Sequence, residues 1–288
     1  MRATDEDTLL DRVRDRQTAI YKLDTFDHSL IMDLLVSSKL SRVGVRRLGA
    51  RTAIMNEPYV QRRAAQPYKR YEGAPLIDLN DYAGIELDKG LSRLARERRS
   101  SKAFTGEKLS LAHLAAILAN SYGLQRKEVL HQAKVPWRFR PVPSPGGLFA
   151  TEVYVVLINS DAQPGLYHYR PDLHALELLK AGDFSRFVGE SCGVEPYVDS
   201  ANKLGGLLIF TSLIERMAIK YGERTYKFMM IETGLVAQQF SLAIESLDLG
   251  SCMLGGYFDD EVHDFLEVDG VLESVQNVMV VGHKTLEG

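Results

Sequence analysis

A mixed fold of helices and sheet, α+β or α/β, is what the apolar patterning of this chain predicts. Short β-branched apolar runs alternate along it with amphipathic helical stretches. Neither a repeat at solenoid or propeller spacing nor a low-complexity tract interrupts them. With 288 residues, 45% hydrophobic and 25% charged, the chain is long and apolar enough to bury a sizeable core.

The elements follow in order. From Met1 to about Asp78 the charges segregate: Asp5 to Asp33 is rich in acid, whereas Lys39 to Arg70 carries Lys39, Arg42, Arg46, Arg47, Arg51, Arg62, Arg63, Lys69 and Arg70 against Glu57 alone. Such a run is either a solvated face or a docking surface. Leu30, Ile31, Leu34 and Leu35 are helix-spaced, which predicts one or two small helices before an extended stretch through Pro67 and Pro75. Residues 1–78 are therefore expected to be an N-terminal extension on a domain over 79–288. Ser110 is placed to cap a helix with Leu111, Leu114, Ile117 and Leu118 on its apolar face, and Gly123 to stop it. Thr151 to Ile158 reads as a buried strand. A hairpin follows, Leu166 to Tyr169 and Ala175 to Leu179 about Pro171 and Asp172. Strand Leu207 to Thr211, a long helix over about Arg224 to Leu247 and a closing strand Asn277 to Val281 complete the chain.

Several function classes are disfavoured. A net charge of -3 excludes nucleic-acid binding by bulk positive charge. Two cysteines, Cys192 and Cys252, are too few for a disulfide scaffold or a cysteine-only metal site, and no metal is expected. The longest apolar run, Leu204 to Ile214, is too short for a bilayer. The N-terminal MRATDEDTLLDRVRDRQ has no apolar core and does not read as a secretory signal. A soluble, cytoplasmic protein is expected. Glycine-rich dinucleotide, P-loop, zincin and nucleophile-elbow motifs are all missing.

Four segments remain as carriers of chemistry, though each by itself also fits an ordinary turn or helix end. In Arg98-Arg99-Ser100-Ser101-Lys102-Ala103-Phe104, an extended backbone puts Arg98, Ser100 and Lys102 on one face, two cations and a hydroxyl suited to a phosphate, with Phe104 as the anchor. Pro143-Ser144-Pro145-Gly146-Gly147-Leu148-Phe149 leads into a buried strand, and its glycines let backbone approach a flat ligand. Lys220-Tyr221 precedes the long helix and becomes an acid or base if burial or a neighbouring cation shifts it. Past the helix, Gly255 and Gly256 offer free N–H groups to a heterocycle edge.

Taken together and in this order, the segments resemble the nitroreductase-like flavoproteins, and more specifically their SagB-type azoline dehydrogenase branch. RRSSKAF resembles the family's phosphate box, PSPGGLF its PSAGGLY segment, and GLYHYRPDLHALELL the branch's hairpin. KYGERTYKF followed by ETG is similar to the branch's Lys-Tyr segment, and YEGAPLIDL to the stretch ahead of the catalytic domain. The resemblance covers about Tyr71 to His283. It implies an α+β nitroreductase-like fold, a mostly antiparallel sheet flanked by helices, with FMN bound at a homodimer interface. It also implies that Arg98, Arg99, Ser100 and Lys102 hold the phosphate and ribityl region. Pro143 and Ser144 would approach the ring, Gly255 and Gly256 its N5 edge, and Lys284 would add a phosphate contact. Lys220 and Tyr221 match the catalytic pair, either of them the base.

The implied activity is FMN-dependent oxidation of peptide azolines to azoles in modified-peptide biosynthesis, beside a cyclodehydratase partner and on an azoline-containing precursor peptide. Two alternatives are a general NAD(P)H-dependent nitroreductase or quinone reductase, and a non-catalytic assembly subunit. Departures from the family pattern are Pro145, Phe149 and Ala150 in the glycine loop and Lys102 where many relatives have arginine.

Overall fold

The computed structural model describes residues 30–129, 136–194, 198 and 200–285. The N-terminal MRATDEDTLLDRVRDRQ stretch and most of the acidic segment lie outside the described residues. The chain divides into two units, Met1–Arg47 and Leu48–Gly288. The described part of the first holds α1, Leu30–Ser37, on the helix-spaced leucines, and the start of α2, Arg42–Ala53. In the second unit α3, Pro58–Ala64, follows a short 3-10 turn. Among the described residues, three helices thus stand where one or two were expected. Glu57, ahead of Pro58, is held extended at φ -68° and ψ 125°, which ends one helix and starts another.

Seven strands form the main sheet: β1 (Leu76–Asp78), β4 (Thr151–Leu157), β5 (Gly165–Arg170), β6 (Ala175–Ala181), β7 (Gly206–Leu213), β8 (Gly250–Leu254) and β9 (Glu273–Gly282). Their order is β1-β6-β5-β4-β7-β9-β8, every neighbouring pair antiparallel. A separate hairpin joins β2 (Arg126–Val129) to β3 (Pro136–Phe139). With helices against the sheet, the class is α+β, as the sequence predicts.

The sheet is buried on both faces, which is why β4 reads as an uninterrupted apolar run, all of it buried. Alternate residues divide between two clusters. Val153, Val155, Leu208 and Phe210 pack with α5 (Leu111–Tyr122) and α8 (Thr225–Ser246) through Ile117, Val236 and Phe240. Tyr154, Val156, Leu207 and Ile209 pack on the opposite face with α6 (Ser185–Ser191) and α9 (Asp259–Leu266) through Val188, Val262 and Leu266. Ser110 caps α5 as expected, its Oγ accepting from the His113 N–H at 3.0 Å.

Register fixes what emerges where. Thr151 pairs with Ser212, Ser212 with Ser274, and Leu254 with Val278. The start of β4 and the ends of β7 and β8 therefore share one end of the sheet. From that end run the Pro143–Gly147 loop, α7 (Ile214–Tyr221), which carries Lys220 and Tyr221, and the Gly255-Gly256 pair. At a strand spacing of about 4.8 Å, β4 and β8 lie about 14 Å apart across the sheet.

Candidate active site

The glycine loop and the Lys-Tyr pair are brought together. Gly146 has φ +66°, and a Cβ built there would lie 2.6 Å from the Tyr221 hydroxyl and 2.8 Å from Lys220 Nζ. Two proton-exchanging groups thus converge on the open face of a glycine that cannot be anything larger without displacing them. α7 ends immediately after the pair, because Gly222 takes φ +55° and breaks the helix.

The loop is braced from several directions. Trp137 on β3 donates its Nε1–H to the Gly147 carbonyl at 2.9 Å. The Phe149 N–H donates to Ser144 Oγ at 2.8 Å, so this hydroxyl closes the turn and retains its own proton to donate. Arg216 donates to the Phe149 carbonyl at 2.9 Å. Thr151, where β4 begins, gives its N–H to buried Glu232 at 2.9 Å and accepts from the Tyr122 hydroxyl at 2.7 Å. Phe149 itself sits at φ +44°, a conformation these contacts hold against its steric cost. Arg140 stacks behind, its guanidinium carbon 3.9 Å from the Tyr122 ring centroid and 4.8 Å from that of Phe149.

Around the pair the surroundings are apolar: Trp137, Leu148, Ala150, Met217 and Met229 form a cluster against which Tyr221 and Phe228 pack. Tyr221 meets Phe228 edge to face at 4.7 Å. Burial in this setting lowers the pKa of Lys220 and raises that of Tyr221. Both shifts favour the uncharged forms, a neutral amine beside a protonated phenol.

A second grouping lies at the other end of β8. α4 (Leu91–Glu97) stops at Arg98, which turns extended at φ -54° and ψ 125°, and Ser100 then bridges Ser251 in parallel. Ser101 points inward and is buried, while Arg99, Ser100 and Lys102 are exposed and Arg98 is half-buried. Phe104, 1% exposed, anchors the strip and bridges Lys284. Lys284 also packs around Gly250, where a Cβ would lie 2.7 Å from both Ser101 Oγ and Lys284 Cβ. Its ammonium is paired with Glu245 at 2.8 Å. Arg99 donates to the carbonyls of Arg96 and Arg98. Gly255 and Gly256 are exposed at the end of β8, and Pro143 is exposed in its loop. The predicted residues therefore fall into two groups within the chain: Pro143, Ser144, Lys220 and Tyr221 in one, Arg98 to Lys102 with Lys284 in the other, linked by β8 to Gly255 and Gly256.

The Nitroreductase family model matches residues 95–283. The chain belongs to the Nitroreductase family. The nitroreductase-named MJ1384 of Methanocaldococcus jannaschii is 27% identical over 193 residues, 67% of this chain and 89% of that protein. The Microcin B17-processing protein McbC of Escherichia coli is 27% identical over 135 residues, and the Trifolitoxin operon protein TfxC of Rhizobium leguminosarum bv. trifolii 25% over 183. Those matches cover 45% and 60% of this chain but only 49% and 50% of McbC and TfxC. Among solved structures, a nitroreductase-described protein from Anabaena variabilis superimposes with a TM-score of 0.59 at 25% identity, over 75% of this chain and 40% of that one. A chain of the Escherichia coli McbBCD microcin synthetase complex, with truncated pro-MccB17 bound, shares the fold at a TM-score of 0.55 and 20% identity, over 90% of this chain and 98% of that one.

Sequence reasoning missed Trp137, Arg216 and Glu232 as site residues, and read Gly146 as backbone for a flat ligand to approach, not as the point where Lys220 and Tyr221 converge. Trp137 carried a signal as the lone tryptophan of the chain. Arg216 and Glu232 act through contacts across 67 and 81 residues, which no local pattern announces. Among the described residues no group of histidine, cysteine and carboxylate side chains is placed to hold a metal ion, and no helix is long and apolar enough to cross a membrane.

Proposed function

We propose that this chain is an FMN-dependent dehydrogenase that oxidises azoline rings in a peptide to azoles, acting as a homodimer beside a cyclodehydratase. The observation that carries the reading is the convergence of Lys220 Nζ and the Tyr221 hydroxyl on Gly146. Shuttling a hydride to a nitro compound needs no buried base of this kind, whereas forming an azole requires a proton to leave the ring carbon next to the carbonyl. The name of McbC, a Microcin B17-processing protein similar in sequence to this chain, supports a peptide as substrate.

The donor set suits the mononucleotide. Arg98 and Lys102 pair with no carboxylate among the described residues, and with the Ser100 hydroxyl and Arg99 they supply the charge-assisted bonds a phosphate accepts. Lys284 joins them by exchanging Glu245 for the phosphate. Gly255 and Gly256 present backbone to the ring edge, and Pro143 and Ser144 approach it from the loop. Bound there, FMN supplies the acceptor for the hydride that leaves the ring. Lys220, whose pKa burial lowers, takes the ring proton in its deprotonated form, and Tyr221 holds its own proton toward the developing negative charge. The apolar wall of Trp137, Leu148 and Met229 excludes water from this exchange.

An exposed apolar stripe on α8, Tyr226, Met230, Ile231 and Leu235, supports pairing of two copies. Within residues 1–78 the arginine-rich stretch is assigned to partner or peptide docking. In the test, purified protein is yellow and converts an azoline peptide with a loss of two hydrogens in mass, and Lys220→Ala retains FMN but not conversion. Protein that reduces nitroaromatics with NAD(P)H yet leaves azolines untouched would give the site to the general reductases instead. Protein that stays colourless when FMN is added would end both enzymatic readings.

A further inference from the structure

A cavity of about 430 Å³ lies between α3 with its following segment and α7, the helix that carries Lys220 and Tyr221. Val60 and Ala64 form one wall, Ile219 the other, and Leu148 and Leu213 the floor. Leu148 directly follows Gly147 and Ile219 directly precedes Lys220, so the floor and one wall are continuous with the elements that hold the proton-transfer groups.

The charges around it are unequal. Lys69 is neutralised by Glu273 at 2.7 Å, and Arg216 by Glu152. Arg62 and Arg63, exposed in the last turn of α3, pair with no carboxylate among the described residues. Glu215 is the one acid on the lining among the described residues. What the groove offers is thus an apolar trough with two guanidinium groups at its rim, a donor pattern that matches a carboxylate beside an apolar side chain. An extended chain laid along it would alternate its side chains between the two sides about every 3.3 Å.

We propose that this groove binds the stretch of acidic, apolar peptide that flanks the reacting ring, with a carboxylate on Arg62 and Arg63 and an apolar side chain on Leu148, Leu213 and Ile219. It rests on the reading of the substrate as a peptide. Binding here adds remote contacts that position the ring against Lys220 without touching the chemistry.

The test uses the full chain loaded with FMN and a short fluorescein-labelled peptide of alternating glutamate and leucine, read by anisotropy. A second peptide with lysine for glutamate is the control. The acidic peptide is expected to bind more tightly than the basic one, and Arg62→Glu with Arg63→Glu to weaken it by about tenfold or more. In the same double variant, FMN content and oxidation of a small azoline amide without flanking residues stay at the wild-type level. Equal affinity for both peptides, or acidic-peptide binding unchanged in the double variant, overturns the proposal. Self-association that the double variant loses, without peptide binding to either form, also overturns it and assigns the groove to a second copy. Failure of the wild-type chain to oxidise the small azoline, with the acidic peptide still held through the arginines, overturns the proposed reaction and not the groove.

Discussion

Gly146 shows how one missing side chain organises the site. Alanine there meets both the backbone cost of a left-handed conformation, about 1 to 2 kcal/mol, and a collision with Lys220 Nζ and the Tyr221 hydroxyl. Because both colliding atoms end flexible side chains, they move aside and the fold survives. Displacing a proton acceptor by about 1 Å costs a rate on the order of 10²-fold, so Gly146→Ala should lose kcat by roughly that factor while flavin content is unchanged. Steady-state kinetics with an absorbance measure of bound flavin reads both. The directions of the two pKa shifts make a separate prediction. A lysine that acts as base must shed its proton, so the rate should rise with pH through a midpoint below the ordinary lysine value, with Tyr221 still protonated. A midpoint above the ordinary tyrosine value would instead assign the base to Tyr221.

The loop ahead of β4 depends on elements that are far apart in sequence, and Trp137 on β3 reports on it. Being the lone tryptophan, 4% exposed and bonded to Gly147, it gives an emission signal that belongs to this loop. Adding FMN to flavin-free protein should quench that emission if the ring settles against the loop. Trp137→Phe keeps the apolar wall but removes the Nε1–H, leaving the Gly147 carbonyl without this partner, at about 1 kcal/mol. The variant should lower kcat more than it lowers the thermal midpoint. Legibility divides in the same way. The strands β4, β5, β6, β7 and β9 and the helices α5 and α8 were readable because each carries its own period and boundary signals, Ser110, Gly123 and Pro171 among them. No strand was read over β8, since Gly-Ser-Cys-Met-Leu lacks a strand pattern and is recruited by pairing with β9. The β2–β3 hairpin, α6 and α9 were missed for similar reasons: Arg-Lys-Glu-Val has no apolar face, and the two helices are only 7 and 8 residues long. Of the site, the residue types were legible and their convergence was not.

Across the whole domain, the site is tied to a buried polar core. His168 on β5 lies between two carboxylates, its Nδ1 2.8 Å from Glu177 and its Nε2 2.9 Å from Glu152, with none of its side chain exposed. Burial alone would depress its pKa, but hydrogen bonds and charge from both glutamates outweigh that and raise it. Burial likewise works to raise Glu152 and Glu177. Arg216 and His168 overcome it at the first, His168 and Arg170 at the second, and both carboxyls are lowered. Glu152 in turn anchors Arg216 on α7, the helix that carries Lys220 and Tyr221, and accepts from the Lys69 N–H at 2.8 Å. The signs of these shifts fix the pH response. A raised histidine adds stability that is complete below its unfolded value, about 6.5, and lost as pH climbs through the folded one. Lowered carboxyls add stability that is complete above their unfolded values, about 4.3, and lost as pH falls through the folded ones. Thermal midpoints measured against pH should therefore peak between about 4.3 and 6.5 and decline on both sides. His168→Gln removes the cation from between two buried acids, which costs about 3 to 5 kcal/mol where such a pair is broken, and should erase the alkaline decline that the histidine causes. The same variant should release Arg216 only partly, because Glu152 keeps its charge beside it. Activity at a temperature where the variant remains folded should accordingly fall less than its stability, and a variant that keeps both its wild-type midpoint and its alkaline decline would show that His168 is not the charged link between the sheet and α7.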